Sequence, residues 1–448
     1  MKIKFLGAAG TVTGSGYLLT ANSGEQILID LGLFQGSVEI DELNYAPFEA
    51  DCSHLSGAIL THAHLDHCGR LPVLEKLGFK GNIFMTTPTA EITEISLFDS
   101  AKINLEDHPQ KVLYDQNQVF NIIKRFKEVE YGRTFNIGGF RVTLRDAGHI
   151  IGSASVEVEA DTQKIVFSGD LGNTPEDLTK PTEAIKSSDI VVMESTYGDK
   201  SHPPGKAEEI IQSEINAVEQ TNGTLLIPAF SIDRTQELLH IISHLKSKNL
   251  IKTRTPVYLD SPMAEKVTII YEKYKSFLNA EINKDFLTSD PFSFPGMQII
   301  RDRKDSFNLN ENKNSKVIIA GSGMMTGGRI VDHARFFLPF ASTRLLIVGY
   351  QGEGTLGRQL LTGVKKVKIS KHVISVNAQV TETQVMSSHA DQPRLINWLR
   401  SIQGVKKVIL THGENSPREI LAEKIKADLN IPDISLPVLN QELNVSSF

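Results

Sequence analysis

In the first two hundred residues, apolar side chains come in short runs bounded by glycine or polar turns, a pattern that predicts strands more than helices. Strands are expected over 3–7, 17–20, 27–30, 58–61 and 83–85, and again over 140–145, 155–159 and 165–168. Helical periodicity marks 71–77, 89–102 and 116–127. From Gly205 onward the alternation becomes regular: helix 207–219 precedes strand 224–227, helix 234–245 precedes strand 257–259, and strand 317–320 precedes helix 330–337. Such repetition predicts a parallel sheet with its own core. The chain closes with helix 392–402, strand 408–411 and helix 416–429, and no internal repeat stands out.

Composition mostly excludes things. With 448 residues and 40% hydrophobic content the chain can hold roughly two to three domains' worth of core. Its 22% charged residues and lack of low-complexity tracts argue against global disorder. No apolar run reaches membrane-spanning length, and Met1-Lys2-Ile3-Lys4-Phe5-Leu6 leads directly into a predicted strand without signal-peptide architecture, so a cytoplasmic protein with no membrane partner is expected. Cys52 and Cys68 show neither finger nor redox spacing; Cys68, although beside His67, is read as a small buried hydrophobe. Charge is uneven: residues 199–386 carry +5 and the remainder −11, an acidic body joined to a mildly basic segment that suits a polyanionic substrate.

The chemistry concentrates in His62-Ala63-His64-Leu65-Asp66-His67, which follows the apolar run Gly57-Ala58-Ile59-Leu60. Imidazoles at alternate positions of an extended segment point the same way, and the adjacent Asp-His pair turns further ligands toward the same volume, so two nearby metals are the natural occupants. The alternative, a polar loop with hydrogen-bonded histidines, does not explain that density. Five more positions place an acid or a histidine after an apolar strand: Asp30, His149, Asp170, Glu194 and His412. Together they point to one convergent metal centre.

These residues carry a resemblance. Asp30, His62-x-His64-x-Asp66-His67, His149 and Asp170 resemble the four motifs of the metallo-β-lactamase superfamily. Glu194-Ser195-Thr196-Tyr197-Gly198, Ser387-Ser388-His389-Ala390-Asp391 and Thr411-His412-Gly413 resemble three further motifs of its β-CASP branch, whose members cut nucleic acid. Stretches such as Tyr258-Leu259-Asp260-Ser261-Pro262-Met263 and Gly349-Tyr350-Gln351-Gly352-Glu353-Gly354 are similar to that branch as well, so the resemblance spans essentially the whole chain. It is strongest to compact prokaryotic ribonucleases related to the 73-kDa subunit of the cleavage and polyadenylation factor.

The resemblance implies an α/β fold: a metallo-β-lactamase αββα sandwich formed by residues 1–198 and 387–448, with a β-CASP domain, a parallel sheet flanked by helices, inserted over 199–386 as a cap that leaves a cleft for a single strand. It implies two Zn²⁺ per chain, one held by His62, His64 and His149, the other by Asp66, His67 and His412, with Asp170 bridging and Asp30 orienting a ligand histidine. The imidazole-rich donor set independently favours Zn²⁺, with Mn²⁺ and Fe²⁺ as alternatives. Such a pair acidifies a shared water and offsets charge on phosphate oxygens. His389 can supply the leaving-group proton with Glu194 holding it, so His389, Glu194 and Asp66 form the expected catalytic set.

Weaker signals suggest substrate contacts. Gly321-Ser322-Gly323 lies between a strand and a helix, the context in which backbone N–H groups cradle phosphate, although a ligand-free βα turn needs glycines too. Ser322, Gly323, Arg329, Arg358 and Ser387 are the candidates, and the run Lys365, Lys366, Lys368 and Lys371 is read as a solvated face. His240 and His244, spaced i, i+4 on a predicted helix, suit a metal pair but are read as solvated, and His54, His108, His202, His333 and His372 receive no function. The expected activity is zinc-dependent, mainly endonucleolytic hydrolysis of single-stranded RNA, a histidine at the last motif marking the RNA-cutting members. The alternatives are a 5′-to-3′ exoribonuclease, whose extra C-terminal domain is not evident, a small-molecule thioester or lactone hydrolase, and a non-catalytic binding subunit. Trp398 and the C-terminal helices offer apolar surface for a homodimer.

Overall fold

The computed structural model of the protein describes residues 1–107, 109–173, 177–352 and 354–445; His108, Glu353 and the last three positions of the expected final domain lie outside the described residues. The chain divides into two compact units, Met1–Ser201 with Ser388–Phe448, and His202–Ser387.

In the first unit, short strands are buried on both faces. Ile27 and Ile29 of the strand Gln26–Ile29 face one way and Leu28 the other, and all three are fully buried. Such strands must lie between two layers, and two sheets provide them. One runs Glu442–Asn444, Lys2–Gly7, Gly16–Thr20, Gln26–Ile29, Gly57–Ile59, Asn82–Met85 and Phe126–Glu128; the other runs Asp433–Ser435, Lys407–Leu410, Ile190–Met193, Gln163–Phe167, Ala154–Ala160, Phe140–Asp146 and Thr134–Ile137. In each sheet one half is antiparallel and the other parallel.

Ile3, Phe5, Ile27 and Ile29 of the first sheet meet Val142, Val156, Ile165 and Val192 of the second in the inner core. Leu28, Leu60 and Met85 pack outward with Leu74, Leu97 and Val119, while Val191, Met193 and Leu410 pack with Leu395, Leu399 and Leu421. This is the αββα order. Each fully buried aliphatic contributes about 1.5–3 kcal/mol, so layer packing rather than intrinsic propensity holds strands of three to seven residues. In the parallel halves the strand ends carrying Asp30, His62, Asp170, Glu194 and His412 gather at one edge.

One expectation changes. The helix predicted over 116–127 is Gln116–Ile123, capped by Asp115, and Phe126–Glu128 is an edge strand. Pairing with the open edge of Asn82–Met85 outweighs another helical turn. Trp398 is half-buried against the outer core containing Leu395 and Leu399, with part of its side chain left at the surface.

The second unit holds a six-stranded parallel sheet in the order Met297–Ile299, Val257–Asp260, Lys316–Ala320, Thr224–Pro228, Arg344–Ile347 and Gln379–Glu382. Ile330, Ala334 and Phe337 of the helix Arg329–Phe337 pack on Leu226, Ile318 and Ile347. In the small hairpin of Lys366–Ile369 with His372–Ser375, exposed Lys366 and Lys368 alternate with buried Val367 and Ile369, so these lysines form a solvated face. No helix among the described residues is long and apolar enough to cross a membrane.

Candidate metal centre

The edge of the first unit is built from tightly apposed loops. A Cβ on Gly32 would lie 1.6 Å from the Asp66 carbonyl oxygen, and one on Gly172 would lie 1.9 Å from that of Gly148. Only glycine lets the Asp30 loop meet the Asp66-His67 turn, and the Asp170 loop meet the His149 loop. Asp30 and His412 follow their strands at φ +57° and +47°, left-handed conformations that non-glycine residues adopt when the surroundings impose them. The short helix Leu65–Cys68, preceded by extended His64, swings Asp66 and His67 back toward the imidazoles.

Two groups of donors result. His62, His64, His149 and Asp170 form one, and Asp66, His67 and His412 the other, the donor atoms of each group lying within 4.8 Å of one another. His64 Nδ1 is 3.1 Å from His62 Nε2 and 3.2 Å from His149 Nε2. Asp170 faces both groups: its Oδ2 is 3.4 Å from His62 Nε2 and 3.7 Å from His149 Nε2, while its Oδ1 is 3.2 Å from His67 Nε2 and 3.6 Å from His412 Nε2.

Outer hydrogen bonds fix the tautomers. His149 Nδ1 donates to the Ser388 carbonyl at 2.9 Å and His67 Nδ1 to Asp30 Oδ2 at 2.7 Å. Thr61 Oγ1 donates to Asp30 Oδ2 and is then left to accept from His62 Nδ1; Thr196 Oγ1 donates to the His412 carbonyl and accepts from His412 Nδ1. His62, His149 and His412 therefore turn the nitrogen without an outer donor bond, Nε2, inward, whereas in His67 burial is outweighed by Asp170 and Asp30, which hold the ring well above the usual imidazole range, so its inward Nε2 would serve a metal ion in exchange for its proton. Ser15 Oγ adds a contact to His67 Nε2 at 3.3 Å. The sequence assigns no role to Thr61, Thr196 or Ser15, although Thr61 adjoins the histidine cluster and Thr196 lies within the motif Glu194-Ser195-Thr196-Tyr197-Gly198.

Electrostatics agrees with a cation site. Burial, foremost, holds His62 and His149 well below the usual imidazole range and His64 down to about 4, so they stay neutral. Burial opposes the charge on Asp170, yet the surrounding histidines, His412 and His67 first, hold it well below the usual carboxylate range. Asp66 behaves alike: burial resists ionisation, but the His412 hydrogen bond and nearby imidazoles bring it to about 2. Asp170 Oδ1 is buried and makes no hydrogen bond, an orphan that a metal ion would satisfy. Imidazole nitrogens with ionised carboxylates are a donor set that fits Zn²⁺.

His389 stands beside this arrangement. Its Nδ1 is 3.2 Å from both Glu194 oxygens and its Nε2 is 3.9 Å from Asp170 Oδ2. Leu171 N–H donates to Glu194 Oε1 at 2.7 Å, and Ala390 N–H to the Leu171 carbonyl at 2.8 Å, so one loop positions both acid and imidazole. Burial lowers the His389 pKa, but Glu194 and then Asp170 outweigh it and raise it to about 9. The side chain keeps 21% exposure, an opening that the fully buried His62 lacks.

The remaining candidates lie in the second unit. Arg329 is not a free phosphate contact: its guanidinium binds Asp260 and the carbonyls of Ile300 and Arg301. Ser322 Oγ accepts from Thr326 N–H and Gly327 N–H within its own loop. A Cβ on Gly323 would lie 2.7 Å from the Phe230 ring, so packing alone requires that glycine. Arg358 is exposed in the helix Leu356–Leu361, and Ser387 is half-buried.

Comparison with known proteins gives a consistent picture. Residues 27–225 match the beta-lactamase superfamily domain, 235–360 the Beta-Casp domain, and 373–435 the Zn-dependent metallo-hydrolase RNA specificity domain. The chain is 36% identical over 418 residues to "Ribonuclease TTHA0252" of Thermus thermophilus, covering 92% of this chain and 93% of the relative. It is 29% identical over 434 residues to "Transcription termination factor FttA" of Methanocaldococcus jannaschii, covering 93% and 67% respectively. A crystal structure of a protein of unknown function from Enterococcus faecalis V583 shares the fold at TM-score 0.53 and 11% identity, with 99% of each chain covered. With its sheets, its histidine-aspartate edge and these matches, the chain belongs to the β-CASP ribonuclease branch of the metallo-β-lactamase superfamily.

Proposed function

We propose that the protein is a zinc-dependent ribonuclease that cuts single-stranded RNA internally, leaving 5′-phosphate and 3′-hydroxyl ends. In this reading the β-CASP domain, about residues 199–386, is inserted into the metallo-β-lactamase body formed by 1–198 and 387–448. The observation that carries the proposal is Asp170, one oxygen turned to His62 and His149 and the other to His67 and His412. His62, His64 and His149 would hold one ion, Asp66, His67 and His412 the second, and Asp170 both. Such a pair, when bound, supplies an acidified water and neutralises charge on the phosphate.

The chain's own residues supply the rest. Asp30, Thr61, Thr196 and the Ser388 carbonyl hold the Nδ1 atoms of His67, His62, His412 and His149, so that each Nε2 is directed toward the centre. His389, kept protonated by Glu194, donates from Nε2 to the departing 3′ oxygen, a task that expulsion of the thiolate from a thioester does not require. The ribonuclease name of the Thermus relative supports RNA as substrate.

The test is incubation of the zinc-loaded protein with the same RNA strand labelled at the 5′ end in one reaction and at the 3′ end in the other. Internal cutting gives intermediate fragments with both labels from the earliest times. Release of mononucleotide from the 5′ label alone would mean a 5′-to-3′ exonuclease, and intact RNA with hydrolysis of thioesters or lactones would overturn the proposal.

A further inference from the structure

A second convergence of metal-ligand side chains lies wholly within the second unit. The helix Arg234–Ser247 carries His240 and His244 one turn apart, and Asp285, the last residue of the helix Ala280–Asp285, reaches both. Asp285 Oδ2 is 2.8 Å from His240 Nε2 and 2.9 Å from His244 Nε2, and the two rings are 4.3 Å apart. The sequence reading of this pair as solvated is corrected here, because His240 is only 3% exposed and its ring is turned to an acid from another helix.

We infer that His240 Nε2, His244 Nε2 and Asp285 Oδ2 form a further divalent-cation site, of the class that accepts Zn²⁺, fastening these two helices. Their donor atoms lie within 4.8 Å of one another. Two imidazoles and a carboxylate form a three-ligand zinc set, and the partial exposure of His244 and Asp285, 37% and 32%, leaves water access to a fourth position. The backbone at Asp285 is held: Thr288 N–H, Ser289 N–H and Thr288 Oγ1 all donate to the Asp285 backbone carbonyl, at 2.9, 3.0 and 3.0 Å, fixing the turn that follows the helix.

Position favours a cation independently of the donors. His244 lies in the last turn of its helix and Asp285 ends the other, so the site sits where backbone carbonyls of both helices accumulate partial negative charge. A carboxylate there is unfavourable by itself and favourable with a cation between it and the imidazoles. Because the site joins segments 41 residues apart, ion binding stabilises the folded second unit. This site is independent of the centre proposed for RNA cleavage and shares no residue with it.

The test uses the full chain, stripped with chelator, dialysed against Zn²⁺ and counted for metal by mass spectrometry, as wild type, His244→Ala and Asp285→Asn. Each variant is expected to hold one equivalent less than wild type, to lose part of the zinc-induced rise in Tm, and to cut RNA at the wild-type rate. Because the readout is a difference, it does not depend on how many ions the catalytic edge holds or on whether RNA is cut. Equal metal content in all three proteins would overturn the site, leaving a carboxylate hydrogen-bonded to two imidazoles.

Discussion

Glu194 embraces His389: both carboxylate oxygens lie 3.2 Å from the imidazole Nδ1, while the Nε2 of the same ring looks toward Asp170 Oδ2 from 3.9 Å. Against burial, Glu194 and Asp170 raise the His389 pKa to about 9, so the ring carries its proton at neutral pH. Activity that needs this proton is retained below that pKa and falls as pH rises through it. Glu194→Gln removes the attraction and should move the alkaline limb of the pH–kcat profile to lower pH. An unmoved limb would mean that another group controls it.

His389→Ala should lower kcat on RNA by roughly 10²–10⁴-fold, the usual contribution of a positioned general acid, with metal content unchanged. Cleavage at the wild-type rate would remove His389 from the chemistry while leaving the fold assignment intact.

Asp30→Asn tests the tautomer argument. Asp30 accepts from Thr61 N–H, Thr61 Oγ1 and His67 Nδ1 at 2.8, 2.8 and 2.7 Å. An amide that keeps the Thr61 N–H bond turns its own NH₂ toward His67 Nδ1, which drives the imidazole proton to the metal-facing Nε2. Zinc affinity, measured by competition with a chelating dye, should weaken about 10–100-fold. Unchanged affinity would show that His67 does not depend on Asp30.

Gly172→Ala should be poorly tolerated, since its Cβ would lie 1.9 Å from the Gly148 carbonyl oxygen. The two loops must separate, at about 1–3 kcal/mol by analogy with overpacked cores, and His149 must move away from Asp170. Denaturant unfolding should show the loss, and zinc titration a weaker site. Wild-type values for both would mean that the loops yield without effect on the centre.

The centre was legible in the sequence for a local reason. Four side chains able to bind metal sit within six residues, and Asp170, Glu194 and His412 each close an apolar run, so strand ends in a layered fold bring them together. The inner strands were legible because burial on both faces leaves continuous apolar runs, as at Ile190–Met193. Edge strands such as Phe126–Glu128 and Glu442–Asn444 were not, because a neighbouring open edge rather than their own composition recruits them. Asp285 was hidden for a similar reason: only the packing of two helices brings it to His240 and His244. Arg329 misled because a cation beside a glycine loop looks available until its partner Asp260, 69 residues away, is in view.

The most direct measurement is cleavage of a single-stranded RNA by chelator-stripped protein as Zn²⁺ is returned, with Asp170→Ala alongside. The account predicts no cleavage without metal, recovery on reloading, and neither recovery nor wild-type metal content in Asp170→Ala. Undiminished cleavage by the stripped protein, or full metal content and activity in Asp170→Ala, would contradict it.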